Sequence, residues 1–131
     1  MIFKVTIADV TELTEEVQGI WFDSKIPTDS TVRSASIETT ITIKGRVSFD
    51  KDKLFMRDAT KELATWSMVR PESPDSYKNL TVEYLHDTAP RKYTFTHAFV
   101  ISYHEENDES DGSFVLVMKQ KKDRLDGVTV E

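Results

Sequence analysis

The sequence predicts a mainly β protein: a small antiparallel barrel or two-sheet sandwich with one flanking α-helix. Three features predict it. From Ala35 to Phe49 the odd positions Ala35, Ile37, Thr39, Ile41, Ile43, Val47 and Phe49 are mostly apolar, and Ser36, Glu38, Thr40, Lys44, Arg46 and Ser48 separate them. A period of two is the mark of a half-buried antiparallel strand. From Arg91 to Lys122 the same period returns in two long runs. Tyr93, Phe95, His97, Phe99, Ile101 and Tyr103 lead to Phe114, Leu116 and Met118 through the polar stretch Glu105 to Gly112, which reads as a hairpin. Between these regions the period changes only once. Phe55, Ala59, Leu63 and Trp66 fall at i, i+4, i+8 and i+11, one apolar stripe of a helix over about 52–69.

In chain order, Ile2 to Val10 alternates with Phe3, Val5 and Ile7 on one side and reads as a first strand. Thr11 to Glu16 reads as a polar turn and Val17 to Phe22 as a short strand. Gly19 to Arg33, which contains Pro27 and Asp29, reads mostly as a long loop. In the strand Ala35 to Phe49, Gly45 interrupts the apolar row and marks a bulge or a bend. Asp50 or Asp52 can cap the helix, and Pro71 ends it near Arg70 because the residue before proline is pushed out of the helical region. Pro71 to Ser76 is then a turn. Leu80, Val82, Tyr84 and His86 make another strand, and Val128 to Val130 a terminal strand or a frayed tail.

With 131 residues, 38% of them hydrophobic and 31% charged, the chain is one domain of ordinary size, long enough to close a core. No run approaches the roughly 20 apolar residues needed to cross a bilayer. The start MIFKVTIADV alternates where a signal peptide would be continuously apolar, so synthesis in the cytoplasm is expected. The absence of cysteine excludes disulfides, thiolate metal sites and cysteine nucleophiles. A formal charge of −6 argues against a module that grips phosphates. A wall that nucleic acid slides past without sticking is instead acidic.

Nothing marks a catalytic centre. His86, His97 and His104 form no metal-binding pair, and His97, placed by parity with Phe95 and Phe99, reads as a core or interface imidazole. The acidic stretch is the best place for a hard cation. Read as a calcium loop starting at Asn107, however, it puts Met118 where a bidentate glutamate belongs. Phosphate-binding glycine motifs and a nucleophile elbow are absent, and the chain holds only four glycines. No enzymatic activity, cofactor or metal is expected. Trp66 reads as helix-to-sheet core. Trp21 and Phe22, with Lys25 and Ile26 after them, read as core or as an anchor for a neighbouring subunit.

The hairpin is electrically bipolar. Glu105, Glu106, Asp108, Glu109 and Asp111 cluster at its tip; Lys119, Lys121, Lys122 and Arg124, together with Arg91 and Lys92, lie at its open end, roughly 30 Å away at about 3.3 Å per residue. A head-to-tail contact needs two different complementary surfaces on one subunit, and these clusters supply a pair.

The order of a long strand, one helix ending ELATWSM, then the strands NLTVEYL, KYTFTHAFVISYHEEN and GSFVLVMKQ, is similar to the tube-protein superfamily. That superfamily includes phage tail tube proteins, the haemolysin-coregulated protein of type VI secretion, and tubes of phage-like particles and extracellular injection systems. The resemblance runs from about Ser34 to Lys122. It implies a barrel or two-sheet sandwich whose copies form rings, six to a ring, that stack head to tail around a lumen. It carries no active site. It implies partners of the same chain, with sheath, baseplate or tail-terminator proteins beside them, and a passing cargo of DNA or effector protein within a virion tail or injection particle. The loop at 19–33 matches the position where the family contacts neighbouring subunits. The alternative reading is a monomeric β-barrel module holding a small apolar ligand among Phe95, Phe99, Tyr103 and Phe114.

Overall fold

A computed structural model describes residues 2–25, 37–47, 59–109, 111–121 and 127–131. The described strands are β1 (Ile2–Ile7), β2 (Thr11–Leu13), β3 (Val17–Lys25), β4 (Glu38–Arg46), β5 (Lys78–Leu85), β6 (Arg91–Asn107), β7 (Gly112–Gln120) and β8 (Val128–Val130), with one helix, α1 (Ala59–Ser67), between β4 and β5. All pairings are antiparallel, in the order β2-β1-β5-β6-β7-β4-β3, with β8 also against β6. The sheet does not close into a barrel. It folds over itself as a sandwich: Phe22 on the last strand of the path stacks on Tyr93 of β6 at 5.0 Å and meets Phe95 edge-on at 6.2 Å. Three strands of a flat sheet would separate them by about 14 Å.

The inner faces meet in one core. Val5, Ile7, Leu13, Ile41, Ile43, Leu80, Val82, Phe95, Phe114, Leu116 and Met118 are buried, with Leu63 and Trp66 of α1 covering them. The helical stripe therefore packs as the sequence predicts at Leu63 and Trp66; Phe55, the capping candidates Asp50 and Asp52, and the rest of the expected helix before Ala59 lie outside the described residues. The helix stops at Ser67, ahead of Pro71, where the amides of Met68 and Val69 turn back to the carbonyls of Thr65 and Trp66. The turn after Pro71 then closes on the helix, the Trp66 indole donating to the buried Ser76 carbonyl at 3.1 Å.

Four expectations are corrected. The first strand ends at Ile7, because Asp9 takes a left-handed conformation (φ 62°) and turns the chain. The stretch taken as a polar turn then contains the short strand β2, whose Thr11 and Leu13 face inward. The expected short strand Val17 to Phe22 is present and runs on to Lys25, so the long loop does not begin at Gly19: Gly19 to Lys25 pair residue for residue with Glu38 to Lys44 of β4. Residues 26–33 lie outside the described residues. Finally, Gly45 marks the bulge but on the partner strand: β3 bulges between Val17 and Gly19 opposite it. A side chain at Gly45 would collide with the Glu16 carbonyl and press on the Phe114 ring.

The parity of β6 is also corrected. Lys78 pairs with Ala98 and Leu80 with Phe95, so Thr96 and His97 together oppose Asn79. Val100 pairs with Met118 and Ser102 with Val117, leaving Ile101 as an extra residue. Each bulge flips the inward side. Phe95 points into the core, then Ala98 and Val100, then Tyr103, which stacks on Phe114. His97 and Phe99 are consequently turned to the outer side. The first bulge is filled by Gln120, 3% exposed: its carbonyl accepts the His97 N–H at 2.9 Å and its amide donates to Thr96 Oγ1 at 3.0 Å. Gly127 lies against this network, where a Cβ would strike Thr96 Oγ1, so the chain passes closely enough for β8 to pair with Tyr93 to Phe95.

Candidate assembly surfaces

At the hairpin tip the carboxylates are divided between two sides. Glu105 accepts from the Tyr103 hydroxyl at 2.6 Å and from Asn107 Nδ2 at 2.8 Å. Glu106 meets His104 Nε2 on the opposite side at 3.0 Å. Asp108 and Asp111 shape the turn: the Asp111 amide donates to Asp108 Oδ1, and the Asp108 amide to the Asp111 carbonyl, both at 2.8 Å. Asp111 also reaches Arg46 Nη2 at 3.4 Å, and Glu109 is exposed. Among the described residues no three histidine or carboxylate side chains are placed to share a metal ion.

The opposite end is less uniformly basic than the sequence suggests. Lys119 is drawn to Glu38 of β4 at 3.4 Å, both partly buried. Lys121 lies over the Tyr77 ring at 5.1 Å, at the side of a cleft of about 620 Å³ whose walls include Asp9, Glu72, Asp75 and Lys78. Lys122 and Arg124 lie outside the described residues, as does Ile26. Trp21 and Phe22 part company: Phe22 joins the core, whereas Trp21 lies on the outer side, 49% exposed, with the Lys44 ammonium 4.7 Å from its ring. Lys25 is exposed at the end of β3. The four rings of the ligand-binding reading share no cavity: Phe95 and Phe114 are buried in the core, Tyr103 stacks on Phe114, and Phe99 packs on Tyr77 outside.

Period counting cannot reveal the strand edges. β6 is flanked by β5 only as far as Ala98, so Phe99 to Asn107 have β7 on one side and, among the described residues, no strand on the other. β3 likewise pairs, among the described residues, only with β4. These two edges, nine residues each, bound a four-stranded patch, β6-β7-β4-β3. Its outer surface carries Trp21, Thr42, Val117 and Ser102 in one cross-strand row, and Lys44, Val115 and His104 in the next. Ile101, 48% exposed, adds to the apolar centre. The outer surface of the other half is polar along its middle: Thr6, Thr81, Thr94 and Thr129 align across β1, β5, β6 and β8, beside the row Lys4, Glu83, Lys92 and Glu131, while the exposed pair Ile2 and Leu85 lies at the strand ends.

Solved structures share this arrangement of elements over nearly the whole chain. Hcp1 from Flavobacterium johnsoniae aligns with a TM-score of 0.58 at 18% identity, over 92% of this chain and 90% of that one. This chain shares the fold of Hcp1. A chain of an extracellular contractile injection system, in the extended sheath-tube complex, aligns at 0.52 with 17% identity, covering 98% and 87%. The tail of an empty gene transfer agent particle, a structure of C6 symmetry, aligns at 0.51 with 12% identity, covering 92% and 90%. No family model and no curated protein matches the sequence. No described helix is long and apolar enough to cross a membrane.

Proposed function

We propose that this chain is a structural, non-enzymatic subunit that assembles with copies of itself, six to a ring, and that the rings stack into the tube of a tail or injection particle around a passive conduit. The observation that carries this reading is a pair of nine-residue edges, unpaired among the described residues, on a chain with the tube-protein fold. An unpaired edge is a template for another strand. The four strands of the patch alternate in direction, so β3 runs opposite to β6. Rotation about a ring axis preserves each strand's direction. The β3 edge of one copy therefore meets the β6 edge of the next in antiparallel fashion, and the ladder continues without interruption.

Six four-stranded arcs at about 4.8 Å per strand give a circumference of about 115 Å, hence a backbone diameter of roughly 37 Å before strand tilt widens it. The six-fold symmetry of the gene transfer agent tail supports that number. Stacking of rings then uses the hairpin: the tip residues Glu105, Glu106, Asp108, Glu109 and Asp111 of one ring face Lys119, Lys121, Lys122 and Arg124 of the next. Such exposed pairs contribute about 0–1 kcal/mol each and set register, while the strand edges supply most of the binding. Trp21, Phe22 and Lys25 belong to the β3 edge, which lies beside the neighbour within a ring, and Ile26 follows them in the sequence. The particle has sheath, baseplate or terminator proteins around this tube, and the chain is made in the cytoplasm before assembly.

Light scattering across concentration and salt, with negative-stain microscopy of the same fractions, tests the reading. Rings of about six subunits, or stacks of them, are expected. A strict monomer at every concentration and salt, with no rings on the grid, overturns it.

A further inference from the structure

We propose that the conduit carries polypeptide rather than nucleic acid, an inference that rests on the ring reading above. Edge pairing decides which surface lines the bore. The bulk of each subunit, β1, β2, β5 and α1, packs on the core side of the four-stranded patch. Space in a ring grows with radius, so that bulk lies outside and the bare surface of β6, β7, β4 and β3 turns inward.

This wall is balanced in charge and apolar at its centre. Among the described residues its charged side chains are Asp23, Glu38 and Glu106 against Lys25, Lys44, Arg46 and Lys119. Three of the four cations are already engaged: Lys44 over Trp21, Arg46 with Asp111 and Lys119 with Glu38. The chain as a whole carries −6, yet the surplus of acid is placed elsewhere, at the hairpin tip and on the outer body. Duplex DNA carries a charge every ~1.7 Å and releases counterions wherever it meets lysine or arginine, so a bore that lets it slide repels it with uncompensated carboxylates. Among the described residues this wall has no such excess.

Between the charges the wall presents Trp21, Ile101, Val115 and Val117, half-buried or about half exposed, among the hydroxyls of Thr40, Thr42 and Ser102. A surface of apolar side chains interspersed with hydroxyls suits weak contact with side chains of a polypeptide. The opposite outer surface has a threonine row and alternating charges at its middle, and carries its exposed apolar pair, Ile2 and Leu85, at the strand ends.

The test uses rings verified by light scattering. A photoreactive benzoylphenylalanine replaces Val117 in the wall or, as control, Thr81 on the other surface. The probes are labelled β-casein, an unfolded polypeptide, and a labelled 40-base-pair duplex. Casein is expected to crosslink at position 117 at least fivefold more than the duplex, with neither reacting above background at position 81. Thr42→Glu and Val117→Glu, made separately in rings crosslinking from position 115, are each expected to cut casein yield at least fivefold while ring mass stays the same. Duplex crosslinking equal to or above that of casein, or equal casein yield at positions 81 and 117, overturns the proposal and leaves the ring reading standing. A chain that stays monomeric throughout overturns both.

Discussion

Gln120 carries the joint between the hairpin and the body, and replacing it measures how much that joint contributes. In Gln120→Leu the side chain keeps its size and loses both polar contacts. The His97 amide then has no carbonyl in the bulge, where its donor bond to Gln120 is 2.9 Å and partly buried. A buried donor left unsatisfied costs about 1–3 kcal/mol, and the bond to Thr96 about 1 kcal/mol more. Thr96 keeps its contact with His97 Nδ1 at 2.9 Å, and the leucine recovers some apolar burial. The net expectation is a loss of about 2 kcal/mol. In urea, with a slope of about 2 kcal/mol/M for a chain of this length, the midpoint falls by about 1 M. Gln120→Glu retains an acceptor for the His97 amide and should lose less than half as much. Hydrogen exchange gives a local readout: the His97 amide exchanges faster in Gln120→Leu than amides in the centre of β4. A midpoint within about 0.2 M of the parent, or equal losses for leucine and glutamate, would refute the view that this side chain stands in for a missing strand partner.

Further outcomes follow from the same contacts. Gly45→Ala drives a methyl into the Glu16 carbonyl and the Phe114 ring and should cost at least about 3 kcal/mol, seen as a fall in Tm; an unchanged Tm would contradict the close approach of β4 to the β2–β3 turn. Phe22→Ala empties a core position stacked on Tyr93 and should cost about 3 kcal/mol, whereas Trp21→Ala, on the outer side, should cost about 1 kcal/mol or less. Equal losses in denaturant midpoint would mean that the two rings are not divided between inside and outside as described. Reversing charge in Lys121→Glu with Lys122→Glu should shorten the stacks of rings on negative-stain grids without altering ring mass; stacks of unchanged length would remove these lysines from the stacking contact.

Much of the fold is legible in the sequence because burial on one side imposes its period. β4, the hairpin and the buried part of α1 announce themselves through Ile41 and Ile43, Leu116 and Met118, Leu63 and Trp66. The failures have a common origin in backbone events that leave no mark in the apolar pattern. Counting by twos puts His97 and Phe99 beside Phe95, and only the two bulges of β6 undo that. Asp23 to Lys25 read as loop because the turn signals Pro27 and Asp29 follow them, yet pairing along β4 carries the strand from Phe22 on to Lys25. The candidate surfaces divide in the same way. The charges of the hairpin are visible in the sequence; their partners Glu38, Arg46 and Tyr77 lie far off in the chain and come close only through the fold. The free edges are properties of topology and have no residue signature at all.

The two bulges of β6 also restrict how such a chain can change in length. They act as a pair, since the first turns the inner side of the strand over and the second turns it back before Tyr103 meets Phe114. One residue inserted or deleted between Ala98 and Val100 would carry Ser102 or His104 to the inside and leave Tyr103 in solvent, reversing every position out to the tip. A neutral change of length there comes in twos, or as the loss of one bulge together with one residue. At Asn107 to Gly112, beyond the last core contact, single insertions carry no such penalty. The hairpin can therefore lengthen freely at its end while its middle is fixed by parity, a rule for indels written into one strand.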